Sequence, residues 1–477
     1  RATKLKTNNE ACPLCVSSRI EYGFQMSGQR LNRCLDCESL FVIPVPDGSP
    51  ISNVMAGRPE RSSESPYLDR PYAYLAARLQ RYHTGVVRDV LVAGLYDTDF
   101  EEALSARDIK VSHAGSDTFA QESFDACVLF EILGESAHPL AQLSLVRKWL
   151  SPGGTLMLTL PVLDSLCSDK EKGIWNKSKT ARAVFFGLHN LTAFLVRCGF
   201  RDVVTWQEDD GIVLSCKKAD CLPGEHMPRL SIVLPVYNER ATCKELIDTV
   251  LAKFIPGIKR EILIVESNST DGSREIVKSF ESHPEVRVIY EEQPRGKGYA
   301  VRTGLSHATG EILLIQDADL EYDVDDYDCV LEPLLTYRRL FVLGSRHNGG
   351  WKIREFEGHK WLSIVFNVGQ IFFTWLINVT CNTRLKDPFT MYKVFHRECL
   401  YGLELESNRF DLDWEIVIKF IRKGFIPLEI PVNYVSRSFS EGKKVRPLRD
   451  PILWLWALVR FRYGPLYKSA MMMGRTR

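Results

Sequence analysis

Asp317, Asp319 and Glu321 stand at alternate positions just past the apolar run Ile312-Leu-Leu-Ile315. On an extended chain alternate side chains point the same way, so three carboxylates would reach one spot at a strand end. Hard oxygen ligands of that kind suit Mg²⁺ or Mn²⁺ bridging a diphosphate. Lys297, between Gly296 and Gly298 ahead of a helical pattern, offers a cation and free backbone N–H groups to a phosphate. Asp411, Asp413 and Glu415 open another helix. Acids there either meet the helix dipole as caps or serve as a base. Near the N-terminus, Cys12-Pro-Leu-Cys15 and Cys34-Leu-Asp-Cys37 are two Cys-x-x-Cys hooks 18 residues apart. That spacing places four thiolates around one tetrahedral Zn²⁺, a closed shell that supplies folding energy and leaves no position for catalysis.

The elements that must hold these residues fall into three blocks: 1–50 with the hooks, 51–220, and 229–477 after the turn-rich Cys221-Leu-Pro-Gly224. In the second block Asp89–Gly94, Phe124–Phe130 and Leu150–Leu160 read as buried strands or a turn feeding one, with a shorter strand at Ile109–Val111 and, within His189–Phe200, a helix ending at Gly199. In the third, Leu230-Ser-Ile-Val-Leu and Glu261-Ile-Leu-Ile-Val265 read as buried strands followed at once by polar turns. Ligand crevices of open α/β sheets lie at such carboxyl ends. Helices are expected over Ala241–Lys253, from Tyr299, from Asp411 to Lys423, and after the Asp450-Pro451 start signal.

The chain of 477 residues is too long for one ordinary core, and its formal net charge of +1 is unevenly spread. From Lys419 onward there are thirteen Lys/Arg against three Asp/Glu, which reads as a face for an anionic partner or as a solvated basic surface. Thirteen cysteines without a paired framework fit a reducing compartment, and residues 1–10 lack the apolar core of a signal peptide. Nothing points to a nucleic-acid partner.

Residues 10–215 resemble a class I S-adenosylmethionine methyltransferase domain with an N-terminal zinc ribbon. The resemblance rests on the hooks, Phe124-Asp125, the Leu150-Ser-Pro-Gly-Gly154 turn, Leu160-Pro161, and His189 followed by Cys198-Gly-Phe200. That family places a glycine-rich loop after its first strand and an acid at the end of its second. Here the loop reads Gly94-Leu95-Tyr96, and the second strand runs into Ser112-His113. The reading is a degenerate Rossmann-like fold that does not bind S-adenosylmethionine. The alternatives are a bifunctional protein with a working methyltransferase and a non-catalytic nucleotide-sugar-binding scaffold.

Residues 229 to about 450 resemble a family 2 glycosyltransferase of GT-A fold, in the branch similar to dolichol-phosphate mannose synthase. The matches come in family order: Pro235-Val-Tyr-Asn238-Glu239, Glu266 to Ser273, Gly296-Lys-Gly298, Asp317-Ala-Asp319, Gly344-Ser-Arg346, Asp387-Pro388, and Tyr434, Arg437 and Glu441-Gly-Lys443-Lys444. The resemblance implies an inverting, metal-dependent hexosyltransferase acting on a nucleotide-diphosphate sugar. It implies that Pro235, Tyr237, Glu239 and Glu266 line the base, and that Lys297, Arg346, Arg437, Lys443 and Lys444 serve the donor. Asp317, Asp319 and Glu321 would hold Mg²⁺ or Mn²⁺, and the acceptor-side base would be Asp413, with Glu415 in reserve. Ser267 stands where the family commonly has a second acid.

Two further segments bear on the acceptor. Trp361–Thr383 is uncharged over 23 residues but carries a polar stripe, Ser363, Asn367, Gln370, Thr374 and Asn378, so it reads as an amphipathic helix rather than a span. Ile452–Val459 is Trp-rich, with Arg460 and Arg462 behind it, and reads as an interfacial helix or as core or homodimer surface. The expectation is a protein peripheral to the cytoplasmic face of a membrane, with a polyprenyl phosphate or a saccharide as acceptor.

Overall fold

The computed structural model describes residues 11–26, 29–42, 73–94, 98–114, 119–136, 138–160, 184–208, 211–347, 360–435 and 450–467. The chain divides into two compact units after Glu225, one residue past the turn-rich Cys221–Gly224.

The first unit holds two sheets. The smaller is antiparallel: β1 (Ile20–Met26), β2 (Gln29–Cys34) and β3 (Leu40–Val42), then β8 (Val184–Phe185) on β3. The small sheet that begins within 1–50 therefore takes its last strand from the following block. The larger sheet has order β5-β4-β6-β7-β10-β9, where β4 is Asp89–Gly94, β5 Lys110–His113, β6 Phe124–Phe130, β7 Leu150–Leu160, β9 Phe200–Glu208 and β10 Gly211–Lys218. Its first four strands are parallel, and β10 runs antiparallel to both β7 and β9. Helices α1 (Ala73–Tyr82), α2 (Thr98–Ser105), α3 (Pro139–Trp149) and α4 (Leu188–Arg197) join them. The last helix stops where expected, at Gly199 (φ 81°), which turns the chain directly into β9. Gly94 (φ 101°) is fixed by space: a Cβ there would sit 2.0 Å from the Phe130 carbonyl oxygen.

The second unit is built on a seven-stranded mixed sheet of order β13-β12-β11-β14-β16-β15-β17. Its strands are β11 (Arg229–Val236), β12 (Lys259–Glu266), β13 (Val286–Tyr290), β14 (Ile312–Ile315), β15 (Phe341–Ser345), β16 (Lys393–His396) and β17 (Leu428–Pro431). The strands β13, β12, β11 and β14 are parallel, whereas β16 is antiparallel to β14 and β15. The helices are α5 (Cys243–Ala252), α6 (Ser273–Lys278), α7 (Lys297–His307), α8 (Tyr327–Leu335), α9 (Lys360–Cys381), α10 (Leu412–Lys423) and α11 (Asp450–Tyr463). Leu230, Ile232, Val233 and Leu234 have no exposed surface, as expected of a central strand covered on both faces. Each such side chain contributes about 1.5–3 kcal/mol by leaving water. Among the described residues no helix is long and apolar enough to cross a membrane.

Candidate active site

The loops after β11 and β12 are laced to one another. Asn238, in the left-handed region (φ 51°), accepts the Thr270 N–H on its side-chain oxygen at 2.9 Å, and its own N–H donates to Ser269 Oγ at 3.0 Å. The Glu239 N–H donates to Ser273 Oγ at 2.9 Å, and the Arg240 N–H to Asp271 at 3.0 Å. Glu266 is fully buried beneath this lacing. Its carboxylate accepts the N–H groups of Ser269 (2.6 Å) and Asn268 (3.2 Å) and pairs with Arg274 at 3.2 Å. Glu266 thus shapes the loop, while Tyr237, at 36% exposure, projects from it. Ser267 donates at 2.7 Å to Glu291, so the residue just past β13 supplies an acid beside Ser267.

Asp317 follows β14 at the same edge of the sheet and is 8% exposed. Lys297, the first residue of α7, reaches it with Nζ 2.6 and 2.7 Å from its two carboxylate oxygens. Burial by itself would lower the Lys297 pKa, but the charges of Asp317 and Asp413 outweigh it and the net shift is upward. The turn that delivers Lys297 needs Gly296 (φ 110°), where a Cβ would meet the Asn408 carbonyl oxygen at 2.4 Å.

The alternation expected over Asp317, Asp319 and Glu321 does not occur. The strand ends at Ile315, Leu320 is left-handed (φ 57°), and the Glu321 N–H turns back to Asp319 Oδ1 at 3.3 Å. The Glu321 carboxylate accepts the Tyr434 hydroxyl at 3.0 Å. Among the described residues the four cysteines are the one group of three or more potential ligands within 4.8 Å of each other, so the three acids are not one cluster. Asp317 and Asp319 remain, and two carboxylates completed by substrate phosphate oxygens are a donor set that fits Mg²⁺ or Mn²⁺.

On the other side of the crevice Asp413, in the first turn of α10, is 8% exposed and accepts Lys393 Nζ on Oδ1 at 2.8 Å. Burial raises the Asp413 pKa more than Lys393 and Lys297 lower it. Glu415 is corrected as a reserve base. It is fully buried, accepts the N–H groups of Glu406 (2.8 Å) and Ser407 (2.8 Å), and pairs with Lys419 at 2.7 Å, so it ties a loop to α10. Arg346 is also held inside the protein. Asp387 accepts its Nε at 2.8 Å and Nη2 at 2.7 Å, and Gln370 of α9 donates to the same carboxylate at 3.0 Å. Although burial would raise the Asp387 pKa, Arg346 brings it below the ordinary value. Lys393 and Glu429, which accepts the Asp387 N–H at 2.6 Å, were not found from the sequence, and Gln370 was visible there only as part of the polar stripe. The signal for Lys393 was a lysine standing alone in Tyr392-Lys-Val-Phe395. Arg437, Lys443 and Lys444 lie outside the described residues, as do Leu95 and Tyr96.

At the cysteine cluster two matching turns do the positioning. The Val16 N–H returns to the Cys12 carbonyl and the Glu38 N–H to the Cys34 carbonyl, both at 2.9 Å, with Val16 (φ 60°) and Glu38 (φ 59°) left-handed. The Sγ atoms of Cys12 and Cys37 are 3.5 Å apart, and those of Cys15 and Cys34 3.4 Å. A tetrahedron with Zn–S of about 2.3 Å has S–S edges of about 3.8 Å, so the thiols need only a small expansion to fit zinc. One zinc per chain is expected by elemental analysis of protein purified without chelator. Finding none counts against the site.

A mixed sheet that gathers aspartates and a lysine at the carboxyl ends of its parallel strands defines a crevice for a phosphorylated ligand. Residues 231–400, within the second unit, match the family described as glycosyl transferase family 2. The dolichol-phosphate mannosyltransferase of Pyrococcus furiosus is 26% identical over 217 residues, 45% of this chain and 59% of that protein. The dolichyl-phosphate beta-glucosyltransferase ALG5C of Trichomonas vaginalis is 27% identical over 249 residues, 49% of this chain and 72% of that one. A solved structure of glucosyl-3-phosphoglycerate synthase from Mycobacterium tuberculosis, with Mn²⁺, UDP-glucose and phosphoglyceric acid, is 20% identical with a TM-score of 0.37, covering 50% of this chain and 81% of that one. The chain therefore spans somewhat under two thirds of the mannosyltransferase it matches.

Proposed function

We propose that the second unit transfers a sugar, with inversion, from a nucleotide-diphosphate sugar to a polyprenyl phosphate. The observation that carries the donor half is the grouping of Asp317, Asp319 and Lys297 at the carboxyl edge of the sheet, facing Asp413. Asp317 and Asp319 would hold Mg²⁺ or Mn²⁺, which when bound neutralises charge on the departing diphosphate. Lys297 adds a fixed cation to the same oxygens once it is drawn from Asp317. Pro235 and Tyr237 offer the base a wall, with Glu239 beside them. Arg346 acts through Asp387 to hold the floor of the crevice, and Arg437, Lys443 and Lys444 are proposed to close over the diphosphate. A screen of donor hydrolysis over UDP-, GDP- and dTDP-sugars with Mn²⁺ tests this reading, and no turnover of any of them overturns it.

The acceptor half draws support from α9 and α11. On the described part of α9 the polar stripe faces inward: Asn367 and Gln370 are buried, and Asn378 bonds the Leu385 backbone in both directions at 2.8 Å. Val368, Ile371, Phe372, Trp375 and Val379 are left 49–63% exposed. On α11, Leu455, Trp456, Val459 and Tyr463 are exposed as well, while Phe373 of α9 meets Trp454 edge-on at 5.3 Å. An apolar aromatic face of this size with arginines beside it suits the interface of an anionic membrane, where a lipid phosphate would be found. The curated relatives named above act on dolichol phosphates by their names. Trp375→Glu is expected to lower binding to anionic vesicles about tenfold or more, since an aromatic leaving water contributes about 1.5–3 kcal/mol. Sedimentation unchanged from wild type removes the membrane from the proposal and leaves a second copy of the chain or a saccharide acceptor in its place.

The first unit is read as a zinc ribbon joined to a degenerate methyltransferase-like fold. Its four parallel strands closed by an antiparallel hairpin support an open Rossmann-like sheet, and a fold of that class does not by itself carry chemistry.

A further inference from the structure

Lys393 opens β16 among side chains with no exposed surface: Tyr392, Val394 and Phe395. Lys393 itself has none. An ammonium in such a place is costly unless it is paired and fully bonded. Its Nζ has two acceptors, the Thr390 carbonyl and Asp413 Oδ1. Asp413 is the second residue of α10, where a carboxylate ordinarily turns to its own helix's free N–H groups. Here it reaches across to another element, and among the described residues only its Oδ1 is hydrogen-bonded. Lys297 is the second cation acting on the same carboxylate.

We propose that Lys393 is the positioning residue for Asp413: it fixes the direction of that carboxylate into the crevice and keeps it ionised beside Lys297. The inference rests on the reading of this crevice as the glycosyl-transfer site, but its test does not. The charged groups facing Asp413 are Lys393 of β16, Lys297 of α7 and Asp317 of the loop after β14. Lys393 in turn faces Asp387 of the loop before β16 and, again, Lys297. The aromatic side of α10 adds no charge there: Trp414 packs against Phe373 of α9 and Trp454 of α11. On α11, Arg460 pairs with Glu406 and Arg462 donates to the Thr380 carbonyl at 2.9 Å. Burial already pushes the Asp413 carboxyl upward against the two lysines, so removing one of them has a defined sign.

The experiment titrates Asp413 directly, from the carboxylate infrared band of ¹³C-aspartate protein minus that of Asp413→Asn, with no donor or acceptor present. Lys393→Met is expected to raise the midpoint by about 1 pH unit or more, the effect of losing an opposite charge at hydrogen-bond distance. Lys393→Arg is expected to keep it at or below the wild-type value. A midpoint unmoved in folded Lys393→Met overturns the proposal. If thermal unfolding shows that the methionine variant does not fold, the arginine variant decides: a raised midpoint in folded Lys393→Arg overturns the proposal, and an unraised one supports it. Where the acceptor is a sugar hydroxyl, which needs Asp413 as a base, Lys393→Met should lower kcat with the donor KM unchanged. Absence of turnover in the wild type would sink the glycosyl-transfer reading while leaving the titration to judge Lys393.

Discussion

Asp319→Ala is expected to bring donor turnover to background while the protein melts within a few degrees of wild type. The difference between the two aspartates of the pair explains the choice. Asp317 is nearly buried and bound on both oxygens by Lys297, so its removal would leave an ammonium without its nearest anion and confuse folding with function. Asp319 is only partly buried, and the bond it accepts from the Glu321 N–H, at 3.3 Å, is long. Losing that bond costs about 1 kcal/mol. Losing a metal-directed carboxylate that acts on charge developing in the transition state costs about 2.7–4 kcal/mol, or 10²–10³ in rate, and more if the metal is lost with it. Donor hydrolysis measured across a Mn²⁺ titration separates weakened metal affinity from lost chemistry. Near-normal turnover by the variant at saturating Mn²⁺ removes Asp319 from the site.

The contrast between Asp319 and Glu321 also shows how far the amino-acid pattern reaches. Strands covered on both faces announce themselves as unbroken apolar runs. Leu230–Leu234, Asp89–Gly94 and Phe124–Phe130 were therefore readable, and with them the carboxyl edge where the polar residues sit. Alternation is a property of a strand, however, and the strand stops at Ile315. The left-handed Leu320 then carries Glu321 away to Tyr434. Nothing local distinguishes Leu320 from any other leucine, because the turn is settled by what packs around it. The same limit hid β8, two residues that matter only because β3 has an open edge for them. It also hid the hairpin of β9 and β10, which reads as ordinary alternating chain. Partners separated by long stretches are the hardest case. Arg346 and Asp387 were both visible as motif residues, yet that they hold one another, and that Gln370 of the amphipathic helix joins them, follows only from the fold. For α9 the stripe was legible and its meaning was open, since a polar stripe serves equally well facing water or, as here, facing a buried ion pair.

Asp413→Asn is the variant that separates the two acceptor classes, because they ask different things of this carboxylate. A lipid phosphate arrives already ionised and needs no base. There Asp413 serves as a counter-ion to Lys297, and the amide should keep most of the turnover. A sugar hydroxyl must lose a proton as it attacks, and without its base the rate should fall about 10²–10⁴-fold. The substitution has a structural cost that must be measured alongside. It leaves the Lys393 ammonium without its anion in a buried place, where burial already holds the lysine's pKa below its ordinary value against the pull of Asp413. With Asp413 neutralised that value falls further. Between the folded pKa and the unfolded value of about 10.4 the unfolded chain binds more protons than the folded one, so stability rises with pH through that window. The destabilisation of Asp413→Asn should therefore shrink as the pH is raised toward 10, which thermal melts at several pH values would detect. Transfer is then compared with wild type at a pH where both proteins are folded, with donor affinity measured separately by calorimetry. Retained turnover onto a polyprenyl phosphate supports the lipid acceptor. A folded variant that binds donor normally and transfers nothing sinks it, and makes Asp413 the base for a saccharide hydroxyl.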